Sequence, residues 1–202
     1  MRLLFLLSII SFQITTNINA QKDCLKNNRY ISMPDKDTYT NRVVLTFNED
    51  TVEIETSNTK HNNHYNITNN NLMINDSVNW GKIKCYKDYF ELINKKDDIS
   101  FQYTKLLPTL IDCSSKELER IILNSSWEAN FENENAKIII SSNDAEKKEY
   151  YKIIKIKETY VLALANQWYF TINKISKNKI ELYGLANSTN LPQRVIMTRV
   201  LK

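Results

Sequence analysis

Glycine is almost missing from this chain of 202 residues, which holds only Gly81 and Gly184. A phosphate-cradling loop needs several glycines so that backbone amides can close on the anion, so neither a P-loop nor a dinucleotide fingerprint can be built. A Gly-x-Ser-x-Gly nucleophile elbow is excluded on the same ground. Histidine is equally scarce, with only His61 and His64. Their three-residue spacing can bring two imidazoles to one metal, but no third Cys, Asp or Glu ligand stands at a telling distance. Both are read as solvated, His61 within a polar loop from Ser57 to Asn63. The calcium-loop pattern is absent. The acidic clusters Asp97-Asp98 and Glu132–Glu134 read as turns rather than as paired catalytic carboxylates. Cys85 has no neighbouring histidine to activate it. With so few titratable pairs placed for acid–base work, the chain reads as non-catalytic, with no metal and no cofactor.

An excess of one charge is also lacking. Lys and Arg total 27 against 23 Asp and Glu, and the lysines are interspersed with acids, so nucleic acid is not an expected partner. The apolar run from Leu3 to Phe12 is too short to span a bilayer, and no later segment approaches that length, so no transmembrane segment is expected. With Arg2 before it and Ala20 after it, Met1–Ala20 reads as a secretory signal peptide cut before Gln21. The mature protein is therefore expected to be secreted or periplasmic. A lipid anchor on Cys24 fits less well, because Lys22 and Asp23 precede it where small residues are wanted.

Export permits disulfides, and the three cysteines Cys24, Cys85 and Cys113 leave one thiol over. Asp23-Cys24 and Asp112-Cys113 precede corresponding points of the two halves, which favours a Cys24–Cys113 bridge. Cys85 lies within the run Lys82–Tyr86 and suits a small buried apolar residue. Cys24–Cys85 is the competing pair.

What is present is alternation. From Tyr150 to Leu185, runs of β-branched, aromatic and aliphatic residues are separated by short polar breaks: Tyr160, Leu162 and Leu164 in one run, Trp168, Phe170 and Ile172 in the next, Ile180 and Leu182 in a third. A period of two places each set on one face of a strand, and breaks this short force antiparallel neighbours. Earlier runs read the same way: Arg29–Met33, a hairpin of Arg42–Phe47 with Thr51–Thr56, then His64–Ile67, Leu72–Ile74, Lys82–Tyr86, Tyr89–Ile93 and Ile99–Leu106. Ala129–Phe131 and Lys137–Ser141 open the second series and Arg194–Leu201 closes it. Asp112–Asn124 is the one convincing helix, capped by Ser114 or Ser115, with Leu118, Ile121 and Ile122 on one face. With glycine so rare and asparagine abundant, Asn is expected to supply the left-handed turn positions.

The halves line up at a spacing of about 85 to 95 residues. Leu45-Thr46-Phe47 matches Ala129-Asn130-Phe131, Tyr65-Asn66-Ile67 matches Tyr151-Lys152-Ile153, Leu72–Ile74 matches Tyr160–Leu164, and Phe101–Leu106 matches Ile196–Val200. Closing each meander into a barrel removes its unpaired edges, although a sandwich satisfies the same pattern.

Leu123-Asn124-Ser125-Ser126-Trp127, the Tyr151–Ile153 strand, Leu162-Ala163-Leu164, the run Ile172–Leu182 and the closing strand with Arg199 resemble the small lipocalin-like (calycin-type) domains of secreted bacterial proteins. The match covers most of residues 120–202 and, more loosely, residues 25–106; Ser125 stands where the family has Gly, and Arg29-Tyr30 where it has Trp. The resemblance implies small antiparallel barrels that bind or pack ligands, with no catalytic residues to carry over. The resulting expectation is an all-β protein: a signal peptide over 1–20, a first lipocalin-like repeat over 21–108, a helical linker over 109–124 and a second repeat over 125–202. A single composite sandwich or barrel is the alternative. Trp127, Tyr151, Tyr160, Trp168, Phe170 and Tyr183 are the candidate ligand-binding residues, since rings with polar tips suit both a pocket and a filled core. The function expected is binding of a small apolar or amphipathic ligand, with a protein-interaction or inhibitor module as the alternative.

Overall fold

Alternation with short polar breaks leaves the chain little choice but hairpins, and the computed structural model is built of them. It describes residues 23–32, 42–56, 58–94, 99–111, 114–132, 137–140, 151–164, 168–184 and 192–200. The expected signal peptide, Cys113, Asp97-Asp98 and most of the loops expected at Ser142–Glu149 and Asn187–Pro192 lie outside the described residues. Two compact units divide the chain after Lys105. Among the described residues, no helix is long and apolar enough to cross a membrane.

The first unit is a closed eight-stranded antiparallel barrel. Its strands are β1 (Arg29–Ser32), β2 (Val44–Phe47), β3 (Thr51–Glu55), β4 (Lys60–Thr68), β5 (Asn71–Ile74), β6 (Val78–Cys85), β7 (Tyr89–Asn94) and β8 (Ile99–Lys105). β8 returns to β1 with Tyr30 opposite Lys105 and Ile31 opposite Thr104. The turns use asparagine as expected: Asn69 and Asn70 join β4 to β5, both with positive φ. Two left-handed residues in a two-residue loop match the right-handed twist of the strands they join. Asn75 and Asp76, between β5 and β6, are also left-handed. His61 lies on β4 and not in a loop. His64 is on the same strand, and three residues apart on a strand means opposite faces, so the two imidazoles diverge.

Rings fill the barrel. Tyr30 meets Phe90 edge-on at 4.8 Å, Phe47 meets Tyr65 at 5.0 Å, and Phe90 stacks on Tyr103 at 4.7 Å. Aromatic pairs in these geometries add to area burial rather than merely occupying space. Burial pushes the Tyr65 and Tyr103 hydroxyls up to about 12. Gly81 is the one residue that fits its position in β6. Its φ is +137°, and a Cβ there would sit 2.6 Å from the Ile93 carbonyl oxygen on β7.

The disulfide expectation is corrected. Cys24 pairs with Cys85, at a Cα–Cα distance of 6.4 Å. The helical turn at residues 23–25 buries Leu25 completely in the ring-filled core, and this seats Cys24 beside the end of β6. Burial of Leu25, outside the regular strands, goes with this pairing, and no spacing in the sequence reveals it.

The second unit is an antiparallel sheet in the order β11-β10-β16-β15-β14-β13-β12. Its strands are β10 (Trp127–Phe131), β11 (Lys137–Ile140), β12 (Tyr151–Ile156), β13 (Thr159–Leu164), β14 (Trp168–Ile175), β15 (Lys179–Gly184) and β16 (Gln193–Arg199). A further two-residue strand, β9 (Leu110–Ile111), pairs in parallel with the end of β14 and has no counterpart in the sequence pattern. The expectation of two barrels is met by the first unit, and the second is a sheet whose order ends at β11 and β12. In pairing order β10 stands where β1 stands, between the last strand and the next, whereas the motif alignment sets it against β2.

The helix α1 (Ser115–Leu123) opens with a capping box: the Ser114 side chain accepts from the Glu117 amide and the Glu117 side chain accepts from the Ser114 amide. It is not a free-standing linker. Leu118 and Ile122 are buried in the second core with Trp127, Phe170, Ile172, Leu182 and Met197.

Two measurements check the pairing and the close approach at Gly81. Non-reducing peptide mapping should recover a Cys24–Cys85 crosslink, and Cys85→Ser should destabilise by about 4 kcal/mol, the chain-entropy value for a bridge across 61 residues. Recovery of Cys24 linked to Cys113 would overturn the pairing. Gly81→Ala should cost about 2 kcal/mol or more, read as a drop in the urea midpoint at unchanged slope.

Candidate functional site

The four candidate ligand-binding residues whose side chains are described do not converge. Trp127, Tyr160 and Phe170 are buried members of the second core, packed against aliphatic neighbours. Tyr183 is on the other face of the sheet: Leu182 and Gly184 on either side of it point inward, and its partner is Thr171 rather than Phe170. The side chains of Tyr151 and Trp168 lie outside the described residues. Of the four described rings, three are core and one lies on the other face of the sheet.

Among the described residues, an open cleft lies at the end of the second sheet beside α1. It is a cleft of about 840 Å³ lined by Glu117, Arg120, Ile121, Asn124, Ser125, Ile175, Ser176, Lys177 and Arg199. Three elements make it. The first is one stripe of α1. Residues at i, i+3, i+4 and i+7 share a helical face, and Glu117, Arg120, Ile121 and Asn124 have that spacing. The adjacent stripe, Leu118 and Ile122, is the buried one. The second is the β14–β15 turn, closed by Ser176, whose amide and hydroxyl both donate to the Lys179 carbonyl at 2.8 and 3.1 Å. It leaves Lys177 exposed at the tip and Ile175 buried as floor. The third is the end of β16. The Arg199 amide donates to Asn178 and the Val200 amide to Ser126, which fixes the half-buried Arg199 side chain at the rim.

Trp127 holds the helix end against this sheet. It is wholly buried, and its indole N–H donates to the Ile122 carbonyl at 3.2 Å. The last carbonyls of a helix have no partner of their own, so this bond satisfies an orphan acceptor that packing would otherwise bury unpaired. Arg199 lies directly opposite Trp127 in the β10–β16 register.

Electrostatically the lining carries three cations and one carboxylate. The Ser114 amide and hydroxyl donate to the Glu117 carboxylate at 3.0 and 2.8 Å and, with nearby Arg120, hold its carboxyl below the usual range. A carboxylate so engaged is a poor general base. The cleft thus offers positive charge, an apolar floor of Ile121 and Ile175, and hydroxyl and amide groups from Ser125, Ser176 and Asn124, which is a binding lining.

Among the described residues no three His, Cys, Asp or Glu side chains cluster as metal ligands. The imidazole Nδ1–H of His64 is placed to donate to the Asp50 carbonyl. Arg199 stands out in the sequence as the basic residue of the closing strand, whereas Arg120 and Lys177 do not. The only local pointer to them is the helical stripe that carries Arg120. Compared with known proteins, the chain matches no family model, no curated sequence and no solved structure.

Trp127→Phe keeps an aromatic ring, smaller than the indole, and deletes the donor. It should cost about 1–3 kcal/mol in urea unfolding, the penalty of a buried acceptor left unpaired. Trp127→Ala should cost about 3–5 kcal/mol. A Trp127→Phe loss near zero would show that the bond to Ile122 contributes nothing.

Proposed function

We propose that this protein is an exported, non-catalytic binding protein of two lipocalin-like repeats, and that its ligand is a small amphipathic molecule held in the cleft beside α1. The observation that carries this reading is the contrast between filled cores and an open cleft. Rings occupy the first barrel and thirteen buried residues the second core, while a space of about 840 Å³ with mixed polar and apolar walls stands open at the helix end. Ligand sites of that size and lining are ordinary for small molecules.

The repeat reading is supported by a plan the units share. Each opens with a helical segment whose carbonyl accepts a hydrogen bond from a ring on the first strand: the Tyr30 hydroxyl donates to Cys24 at 2.6 Å and the Trp127 indole to Ile122. Each continues as an antiparallel meander whose last strand pairs with the first. Export is supported by the Cys24–Cys85 disulfide, a bond that persists in oxidising compartments.

Native mass spectrometry of protein purified from the organism that produces it should show one small molecule per chain, lost on mild activation. Asn124→Trp places a large side chain in the cleft from an exposed position whose backbone, φ −101°, accepts any residue. It should abolish retention while leaving the unfolding temperature within a few degrees of the parent. Retention unchanged by Asn124→Trp would move the ligand out of the cleft, and a bare chain mass in the parent would end the binding reading.

A further inference from the structure

The cleft's charge says more than that something binds. Arg120 comes from a helix, Lys177 from a hairpin turn and Arg199 from the last strand, so only the fold brings the three cations to one opening. Among the described residues no salt bridge engages any of them; the described ion pairs fall elsewhere, such as Lys26 with Glu49 and Arg194 with Glu181. The one carboxylate in the lining is already bonded to Ser114. The end of α1 also faces this opening, and a helix C-terminus favours cations near it, which accounts for tolerating positive charge there. One cation is enough for that purpose. Two guanidiniums and an ammonium around an apolar floor form a surface with more positive charge than the helix end can neutralise.

We infer that the cleft recognises an anionic amphiphile, with a carboxylate or phosphate head among Arg120, Lys177 and Arg199 and a short apolar body against Ile121 and Ile175. This rests on the binding reading above and names the chemistry of its ligand. Guanidinium groups present paired donors whose spacing fits the oxygens of carboxylate and phosphate, and the lysine adds an adaptable point charge. The floor is suited to a chain rather than to an inorganic ion: Ile175 is fully buried in the core, and Ile121 packs against that core. Because Arg120 and Lys177 are exposed, their attraction is screened by salt, so the preference for an anion must shrink as ionic strength rises.

The test uses the full mature protein and four probes sharing a twelve-carbon chain, each kept below micelle formation: dodecanoate, dodecyl phosphate, dodecanol and dodecyltrimethylammonium. Binding is followed by calorimetry at low salt and again at high salt. One or both anions should bind at least about tenfold tighter than the alcohol at low salt, the factor expected of a charge-assisted hydrogen bond, with the margin narrowing in high salt and the ammonium probe bound weakest. The tighter anion identifies the head group. The double variant Arg120→Gln, Lys177→Gln changes only exposed side chains and leaves Arg199 as the single cation, so it should narrow the margin between the anions and dodecanol. Equal affinity for all four probes, or a margin undiminished by the double variant, would overturn the acidic-head inference and leave binding itself standing. If no probe binds and the parent also carries no ligand in native spectra, both readings fall together.

Discussion

A helix that closes the end of a sheet brings its own difficulty: its last carbonyls point at the core with nothing to accept from. In both units one ring on the first strand resolves this. Trp127 is completely buried, yet its single polar atom reaches the Ile122 carbonyl, and the Tyr30 hydroxyl shares the Cys24 carbonyl with the Asn28 side-chain amide. Leaving such an acceptor unpaired would cost about 1–3 kcal/mol, enough to favour an undocked helical segment. Once docked, the segment organises the side chains around it. In the first unit it places Leu25 among the rings and Cys24 against Cys85. In the second it turns one stripe of α1 inward and leaves the next as the wall of the cleft.

Much of the fold could be read from the chain because it rests on local rules. Alternation located the strands of both meanders, and the serines at 114 and 115 marked where α1 is capped, which Ser114 does. The abundance of asparagine announced left-handed turns that glycine usually makes, and Asn69, Asn70 and Asn75 adopt them. What escaped had no local signature. The start of β4, Lys60 to His64, presents no apolar residue to either face and is a strand because β3 pairs with it. β9 is two residues long, too short to alternate. Tyr183 illustrates a different failure: the alternation of Ile180 and Leu182 already placed it outward, and grouping it with the core rings neglected that parity. Cys24 found Cys85 through burial of a neighbour, and spacing carries no information about that.

The candidate site was the least legible part. Its lining is gathered from α1 and the two residues after it, the β14–β15 turn and Arg199, and no local pattern in the sequence marks these as one site. Rings large enough to surround a ligand are here the residues that exclude one. The first barrel illustrates why: Tyr30, Phe47, Tyr65, Phe90 and Tyr103 contact each other and leave the interior to themselves. An eight-stranded barrel is just narrow enough for its own side chains to fill in this way.

The seam between β1 and β8 has a consequence for how the first unit is born. β1 leaves the ribosome early, but one of its two neighbours is the last strand of that unit. Until β8 arrives, one flank of β1 displays unanswered amides and carbonyls, an inviting template for another chain. Domains formed during synthesis pass through such incomplete states, and this one cannot be sealed from its amino end alone. A nascent chain arrested before Tyr103 should therefore be the species most in need of a chaperone.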